Sequence, residues 1–226
     1  MNTAGNIPPL IIFGASGHAK SVIDVVVAQS TYRILGLIDS SKEIGEQFFG
    51  CPILGKEHDL PRLMEEHQCT TVFVAIGENY LREVITNRLR NASPGLNLAT
   101  LVHPSSVVSL AANISDGVVI MPGAVISADA KIGEGVIVNT SASVDHDSEL
   151  RPYSSVAPQA ALAGNVVVGP RTTIGIGASV SHKITIEADS VIGAGAAVVS
   201  DIPAGVVALG VPCRVVRQRS AEERVL

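Results

Sequence analysis

Hydrophobic positions in the second half of the chain fall on a strict period of six. From Val102 the series runs through Val108, Ile114, Ile120, Ile126, Ile132, Val138, Val144, Leu150, Val156, Leu162, Val168, Ile174, Val180, Ile186 and Ile192 to Val198 without a miss. Two residues before each aliphatic the side chain is usually small, as at Ser106, Ala112, Ala130, Ala142, Ser148, Ser154, Ala160, Thr172 and Ser190. A spacing of six matches neither the ~3.6 of an α-helix nor the ~3.5 of a coiled coil, yet it contains the period of two by which a short strand alternates its side chains. Each hexad therefore predicts a short strand and a corner. Three hexads close a triangular coil, and stacked coils pair about 4.8 Å apart as a parallel β-helix. The aliphatic fills the centre and the small residue sits beside it near the corner.

The first half has a different pattern. Leu10-Ile11-Ile12-Phe13 reads as a buried parallel strand that ends at Gly14-Ala15-Ser16-Gly17-His18, and a helix follows with Val22, Ile23, Val26 and Val27 on its apolar face. A second strand over residues 34–38 stops at Asp39-Ser40-Ser41. Then come a turn at Cys51-Pro52, a helix over about 56–67, a strand over 71–76 closing at Gly77-Glu78-Asn79, and a helix over about 80–91. Strands alternating with helices predict a small Rossmann-like α/β domain. Ser93-Pro94-Gly95 marks its end. The expected layout is an α/β domain over 1–95, an all-β parallel β-helix over 96–212, and a polar tail over 213–226 that caps the open last coil, its end from residue 219 a short helix or frayed.

Composition narrows the function. The chain has 226 residues, with 16 Lys and Arg against 21 Asp and Glu, and no basic cluster, which argues against a nucleic-acid partner. Aromatic residues are scarce, which disfavours a platform for stacking bases. The opening residues 1–10 lack a signal-like apolar run, and no segment approaches the ~20 apolar residues of a membrane span, so a cytoplasmic protein is expected. Cys51, Cys69 and Cys213 are odd in number with no metal-like spacing and read as reduced thiols. Gly14 and Gly17 give G-x-x-G rather than the dinucleotide fingerprint G-x-G-x-x-G. The loop keeps a physical use nonetheless, because N–H groups at a helix start meet phosphate or sugar oxygens. Ligand binding at Ser16, Gly17 and His18 stands beside the plainer reading of a turn that only joins strand to helix.

Within the repeat, Val144-Asp145-His146-Asp147 stands apart. An imidazole flanked by carboxylates, near a corner, can take a proton at neutral pH while a carboxylate on its other nitrogen fixes the tautomer. A surface histidine in an acidic turn is the bland alternative. The segments Gly14-Ala15-Ser16-Gly17-His18, Val74-Ala75-Ile76-Gly77, Val138-Asn139-Thr140 with Asp145-His146-Asp147, Ala163-Gly164-Asn165-Val166 and Gly210-Val211-Pro212 resemble the nucleotide-amino-sugar acetyltransferases acting on bacillosamine and perosamine precursors. These belong to a broader family with the sialic-acid O-acetyltransferases.

The resemblance implies a left-handed β-helix, against the usual right-handed crossover. It implies His146 as general base for a sugar amine attacking acetyl-CoA, and Asp147 as its acidic partner. Because neighbours on a strand point to opposite faces, that pairing needs a bend between them, and Asp145 stays as a substitute. Asn139 would hold the sugar. The nucleotide would sit on Ser16, Gly17, His18, Asp39, Ser40 and Gly77. CoA would lie along Ser155, Gly164, Ile176 and the stretch around Ala194, with the Gly164 N–H facing the thioester oxygen. Ser155 departs from a histidine in some relatives, Ala194 from a glycine, and Ser40 from an acid. The family further implies a homotrimer with sites between subunits, acetyl-CoA as cosubstrate, and no metal.

Three rivals remain. One is acetylation of a sugar hydroxyl by the same fold. Another is a noncatalytic sugar-nucleotide sensor. The third is a zinc hydratase, which His146 and His182 serve poorly because two coils separate them by about 9.6 Å, far beyond ligation distance.

Overall fold

The structure, a computed structural model, describes residues 7–224; the expectations for residues 1–6 and for the last two residues of the tail lie outside it. The chain forms two compact units, one of residues up to Ile76 with Val84–Ala99, the other of Gly77–Glu83 with Thr100 onward.

In the first unit, β1 (Pro9–Phe13), β2 (Arg33–Ile38), β3 (Gln47–Phe48), β4 (Cys51–Gly55), β5 (Thr71–Val74) and β6 (Asn97–Leu98) make one sheet in the order β3-β4-β2-β1-β5-β6. All neighbours are parallel except β3 on β4. Central β1 is an unbroken apolar run because both its faces are covered, and Leu10, Ile11 and Ile12 are fully buried. Helix α1 (Gly17–Gln29) buries Ala19, Val22, Ile23, Val25 and Val26. Its buried arc centres on Val22 and Val26, which brings in Val25 and leaves Val27 exposed, a correction to the expected face. Helix α2 (Leu60–Glu66) starts later than the expected residue 56, with a 3-10 turn at Glu57–Asp59 ahead of it. Pro61 belongs in a first turn, where its missing N–H costs nothing. Helix α3 (Asn79–Ala92) follows β5. The pairing of β6 with β5 keeps the chain in this unit to Ala99, beyond the break expected at Ser93-Pro94-Gly95.

The second unit is the parallel β-helix. Its first face stacks Leu101–Val102, Val119–Ile120, Ile137–Val138, Ser155–Val156, Thr173–Ile174 and Val191–Ile192. The second runs from Val107–Val108 to Ala197–Val198 and the third from Asn113–Ile114 to Thr185–Ile186. Partners across each rung are 18 residues apart, as Ile120 with Val138 and Val138 with Val156. The hexad aliphatics form one continuous core in which Ile120, Val138, Val144, Leu150, Val156, Val168 and Ile174 are inaccessible.

The periodicity predicts the corners but not their backbone conformation. From Gly117 onward one residue at each corner has a left-handed backbone, including Gly123, Asp129, Gly135, Ser141, Asp147, Tyr153, Gln159, Asn165 and Arg171. At Pro122, Pro152, Pro158 and Pro170, the residue before that position is proline, which fixes φ and supplies no N–H, the chemistry of a type II turn.

The last coil is capped by the tail. Ile202 bridges to Ile186, the strand Val206–Leu209 extends the first face beside Val191–Ile192, and Arg214–Gln218 folds back antiparallel on it. Beyond it the chain turns, with the Glu223 amide on the Ser220 carbonyl at 3.2 Å, so a turn replaces the expected short helix. No helix among the described residues is long and apolar enough to cross a membrane.

Candidate active site

His146 stands at a corner between the second and third faces, two residues past the inward Val144. Its Nδ1 lies 2.7 Å from Asp147 Oδ2. Adjacent residues reach each other because Asp147 takes a left-handed backbone, φ 58°, the bend such a pair requires. Asp145 does something else: its Oδ1 accepts the His146 backbone N–H at 2.8 Å. The two acids therefore divide the work, one on the ring and one on the main chain. The Asp147 hydrogen bond is the largest influence raising the imidazole above its ordinary pKa, and the charge of Asp145 adds to it. Asp145 is held below the usual carboxylate range by the His146 amide first, with Ser127 and the nearby imidazoles assisting.

Gly164 lies one coil above His146. A Cβ there would come within 2.6 Å of His146 Cε1 and Nε2, so only glycine lets the ring lie against this peptide. The ring edge that Asp147 leaves open thus borders the Gly164 backbone, whose N–H has no acceptor among the described residues. His182, one coil higher, is exposed.

In the α/β unit, Ser16, Gly17 and His18 follow the carboxyl end of β1, and Asp39 and Ser40 follow the adjacent end of β2. Ligands bind at such strand ends in open parallel sheets. Gly14, not Gly17, is the glycine the turn itself needs: its φ is +103° and a Cβ would sit 3.0 Å from the Ala75 carbonyl. Among the described residues nothing beyond its own helix backbone and chain neighbours lies within 4 Å of the Gly17 Cβ position, leaving the entry to α1 clear. Asp39 ties the two loops together, its Oδ2 accepting the Ala15 N–H at 2.8 Å and its Oδ1 the Ser41 N–H and hydroxyl at 2.8 and 2.7 Å. Burial works against its charge, but the Ser41 and Ala15 bonds outweigh it and hold the carboxyl below the usual range.

The remaining expected positions spread over the β-helix unit. Ile176 and Ala194 are exposed in one column at the corner between the first and second faces, and Asn139 lies at the same corner, lower down. That is a different corner from His146 and Gly164. Ser155 is buried on the first face, where its hydroxyl accepts the Asn79 side-chain amide at 3.2 Å. Gly77 is exposed, and its carbonyl accepts Arg82 at 3.1 Å.

Two features escaped sequence reasoning. The first is a polar cluster that seats residues 77–83 on the β-helix. The Asn79 amide also reaches the Arg171 carbonyl at 3.0 Å and Thr173 Oγ1 at 3.0 Å. Buried Arg82 donates to the carbonyls of Gly135 and Tyr153 at 2.8 and 2.9 Å and to Asn79 Oδ1 at 2.7 Å. Desolvation pulls its pKa down to about 10. Beside this cluster, Tyr80, Ser155, Thr173 and Glu222 line a cleft of about 670 Å3. The second is Ser148, whose buried hydroxyl bonds to the coil above. Its signal was a serine at a position where alanine would have filled the same space.

The stacked hexads form the parallel β-helix of the hexapeptide-repeat acyltransferases. Comparison with known proteins agrees. Residues 9–89 match the family described as the PglD N-terminal domain. The UDP-N-acetylbacillosamine N-acetyltransferase of Bacillus subtilis (strain 168) is 36% identical over 112 residues, 48% of this chain and about half (49%) of the relative's length. A variant of perosamine N-acetyltransferase from Caulobacter crescentus, solved with CoA and GDP-perosamine, is 38% identical over 94% of this chain and 98% of that one, with a TM-score of 0.88. The acetyltransferase domain of PglB from Neisseria gonorrhoeae FA1090, solved with acetyl coenzyme A, is 35% identical over 94% and 100% of the two chains, with a TM-score of 0.84. The chain belongs to the nucleotide-amino-sugar N-acetyltransferases, whose Rossmann-like unit followed by a left-handed parallel β-helix it shares.

Proposed function

We propose that this protein transfers the acetyl group of acetyl-CoA to the amine of a nucleotide-linked 4-amino-4,6-dideoxy sugar. The observation that carries the reading is the His146 Nδ1 to Asp147 Oδ2 contact of 2.7 Å. With the carboxylate accepting the Nδ1 proton, the neutral ring keeps Nε2 as its basic atom. Nε2 takes a proton as the amine nitrogen attacks the thioester carbon. The new C–N bond forms, the C–S bond breaks, and the thiolate of CoA leaves and recovers a proton. Gly164 N–H hydrogen-bonds the thioester oxygen as it gains charge. Among the described residues no activated nucleophile stands beside His146, which favours direct transfer without an acyl-enzyme. Asn139 steadies the sugar, and Ser16, Gly17, His18, Asp39, Ser40 and Gly77 hold the nucleotide-sugar.

CoA lies along Gly164, Ile176 and Ala194, and Ser155 takes part through its position on the first face. Because Gly164 and Ile176 occupy different corners of one chain, we assign the CoA groove to two neighbouring chains of a cyclic homotrimer. The complexes of the Caulobacter relative with CoA and GDP-perosamine support the substrate classes. We place the reaction in the cytoplasm, where acetyl-CoA is available.

The test is His146→Ala. Turnover with acetyl-CoA and the amino-sugar nucleotide should fall about 10²- to 10⁴-fold, while the assembly's mass and thermal transition stay put. A near-normal rate would remove His146 from the mechanism.

A further inference from the structure

We infer that Ser148 is a positioning residue for the Ala163–Gly164 peptide, the group whose N–H faces the reacting carbonyl; this rests on the role proposed above for Gly164. Ser148 is fully buried, one coil below that corner. Its hydroxyl donates to the Ala163 carbonyl at 3.1 Å and accepts the Val166 N–H at 3.1 Å. The Ala163 carbonyl and the Gly164 N–H belong to one planar trans peptide, so they point in opposite directions. Holding the carbonyl inward on a buried hydroxyl therefore fixes the N–H outward, at the corner where the Gly164 Cβ position meets the His146 ring. Donation to the carbonyl also polarises the peptide and strengthens its N–H as a donor.

The bond is specific to this coil. Among the described residues no hydroxyl reaches the corresponding carbonyls of Ser127, Asp145 or Ser181 at the same edge of the β-helix. The device itself recurs elsewhere as plain structure: Ser190 donates to the Pro203 carbonyl at 2.8 Å and accepts the Val206 N–H at 3.3 Å, at a different corner. Thr172 makes the same pair of bonds to the Glu187 carbonyl and the Ser190 N–H, which shows that threonine has the geometry for the task.

The experiment compares Ser148→Ala, Ser148→Thr and Ser190→Ala in the full-length protein, with acetyl-CoA and whichever of GDP-perosamine or a UDP-linked 4-amino sugar the wild type acetylates. Ser148→Ala should lower kcat about 10- to 100-fold, the cost of a slightly misplaced group, with KM for both substrates within about twofold. The pH midpoint set by His146 should not move, and Ser148→Thr should restore most of the rate. Ser190→Ala should lose thermal stability to a similar degree while keeping kcat. A crystal structure of Ser148→Ala should show the Ala163–Gly164 peptide rotated or in two orientations. Normal kcat in Ser148→Ala, an equal loss in Ser190→Ala, or an unmoved peptide in the crystal each overturns the inference. His146→Ala in the same assay separates the two claims: if it retains activity the general-base reading fails, whereas an inactive His146→Ala beside a fully active Ser148→Ala sinks only the role of Ser148.

Discussion

A base in this position must be neutral to act, and Asp147 makes the imidazole harder to deprotonate. His146 holds its proton to a pH above its ordinary 6.5, so under the proposed mechanism kcat/KM should rise with pH to a plateau, with the midpoint of the rise above that value. Asp147→Asn removes the main cause of the shift. The acid limb should then move to lower pH, and the plateau should drop because nothing fixes the tautomer. An unmoved limb in a kcat/KM profile would show that Asp147 does not set the charge of the ring. Much of this residue-level picture was readable in advance, since a histidine between two acids is unusual among the small side chains of the repeat. Which acid held the ring was not readable. That choice depends on the left-handed φ of Asp147, a backbone property that the side-chain pattern does not encode. Ser148 was seen only as a small side chain, because its hydrogen-bond partners lie 15 and 18 residues onward on the next coil.

Among the elements, the strands of the β-helix were the most legible because each depends on one inward aliphatic repeated without interruption. The corners carry a cost the pattern conceals. Gln159 holds φ at 60° with an exposed side chain, a conformation that costs an ordinary L-residue about 1–2 kcal/mol. Gln159→Gly relieves that cost and gives back part of it in chain entropy. Denaturant unfolding should therefore find the variant about 0.5–1 kcal/mol more stable. A destabilised Gln159→Gly would mean that the glutamine side chain contributes something at this corner that its exposure does not reveal. In the α/β unit the strands of the central sheet were equally plain, whereas Val27 was misplaced because helix periodicity leaves the centre of a buried arc uncertain by one residue.

At the scale of the whole molecule, the order of an α/β unit before a β-helix followed from the change of hydrophobic period from mixed to six. The seat of residues 77–83 on the β-helix did not, because the partners of Asn79 and Arg82 stand 53 to 94 residues away. The separation of His146 and Gly164 from Ile176 and Ala194 on different corners leads to the proposed sharing of each site between chains. Mixed assemblies test that arrangement. Refolding His146→Ala together with an Ala194→Trp variant, each inactive alone, should restore part of the activity, because some sites then combine an intact histidine with an intact CoA groove. Failure of every mixture to recover activity would place both halves in one chain.

The central claim is acetyl transfer to a nucleotide-linked sugar amine with His146 as base. It is tested most directly by incubating the purified protein with acetyl-CoA and a panel of GDP-, UDP- and dTDP-linked 4-amino sugars, following free thiol and product mass together, with His146→Ala as the blank. The account predicts that for at least one sugar thiol release and N-acetylated product appear in equal amounts, and that both vanish in the blank. Thiol release with no sugar on the panel, acetyl found on a hydroxyl, or product formed equally by His146→Ala would contradict it.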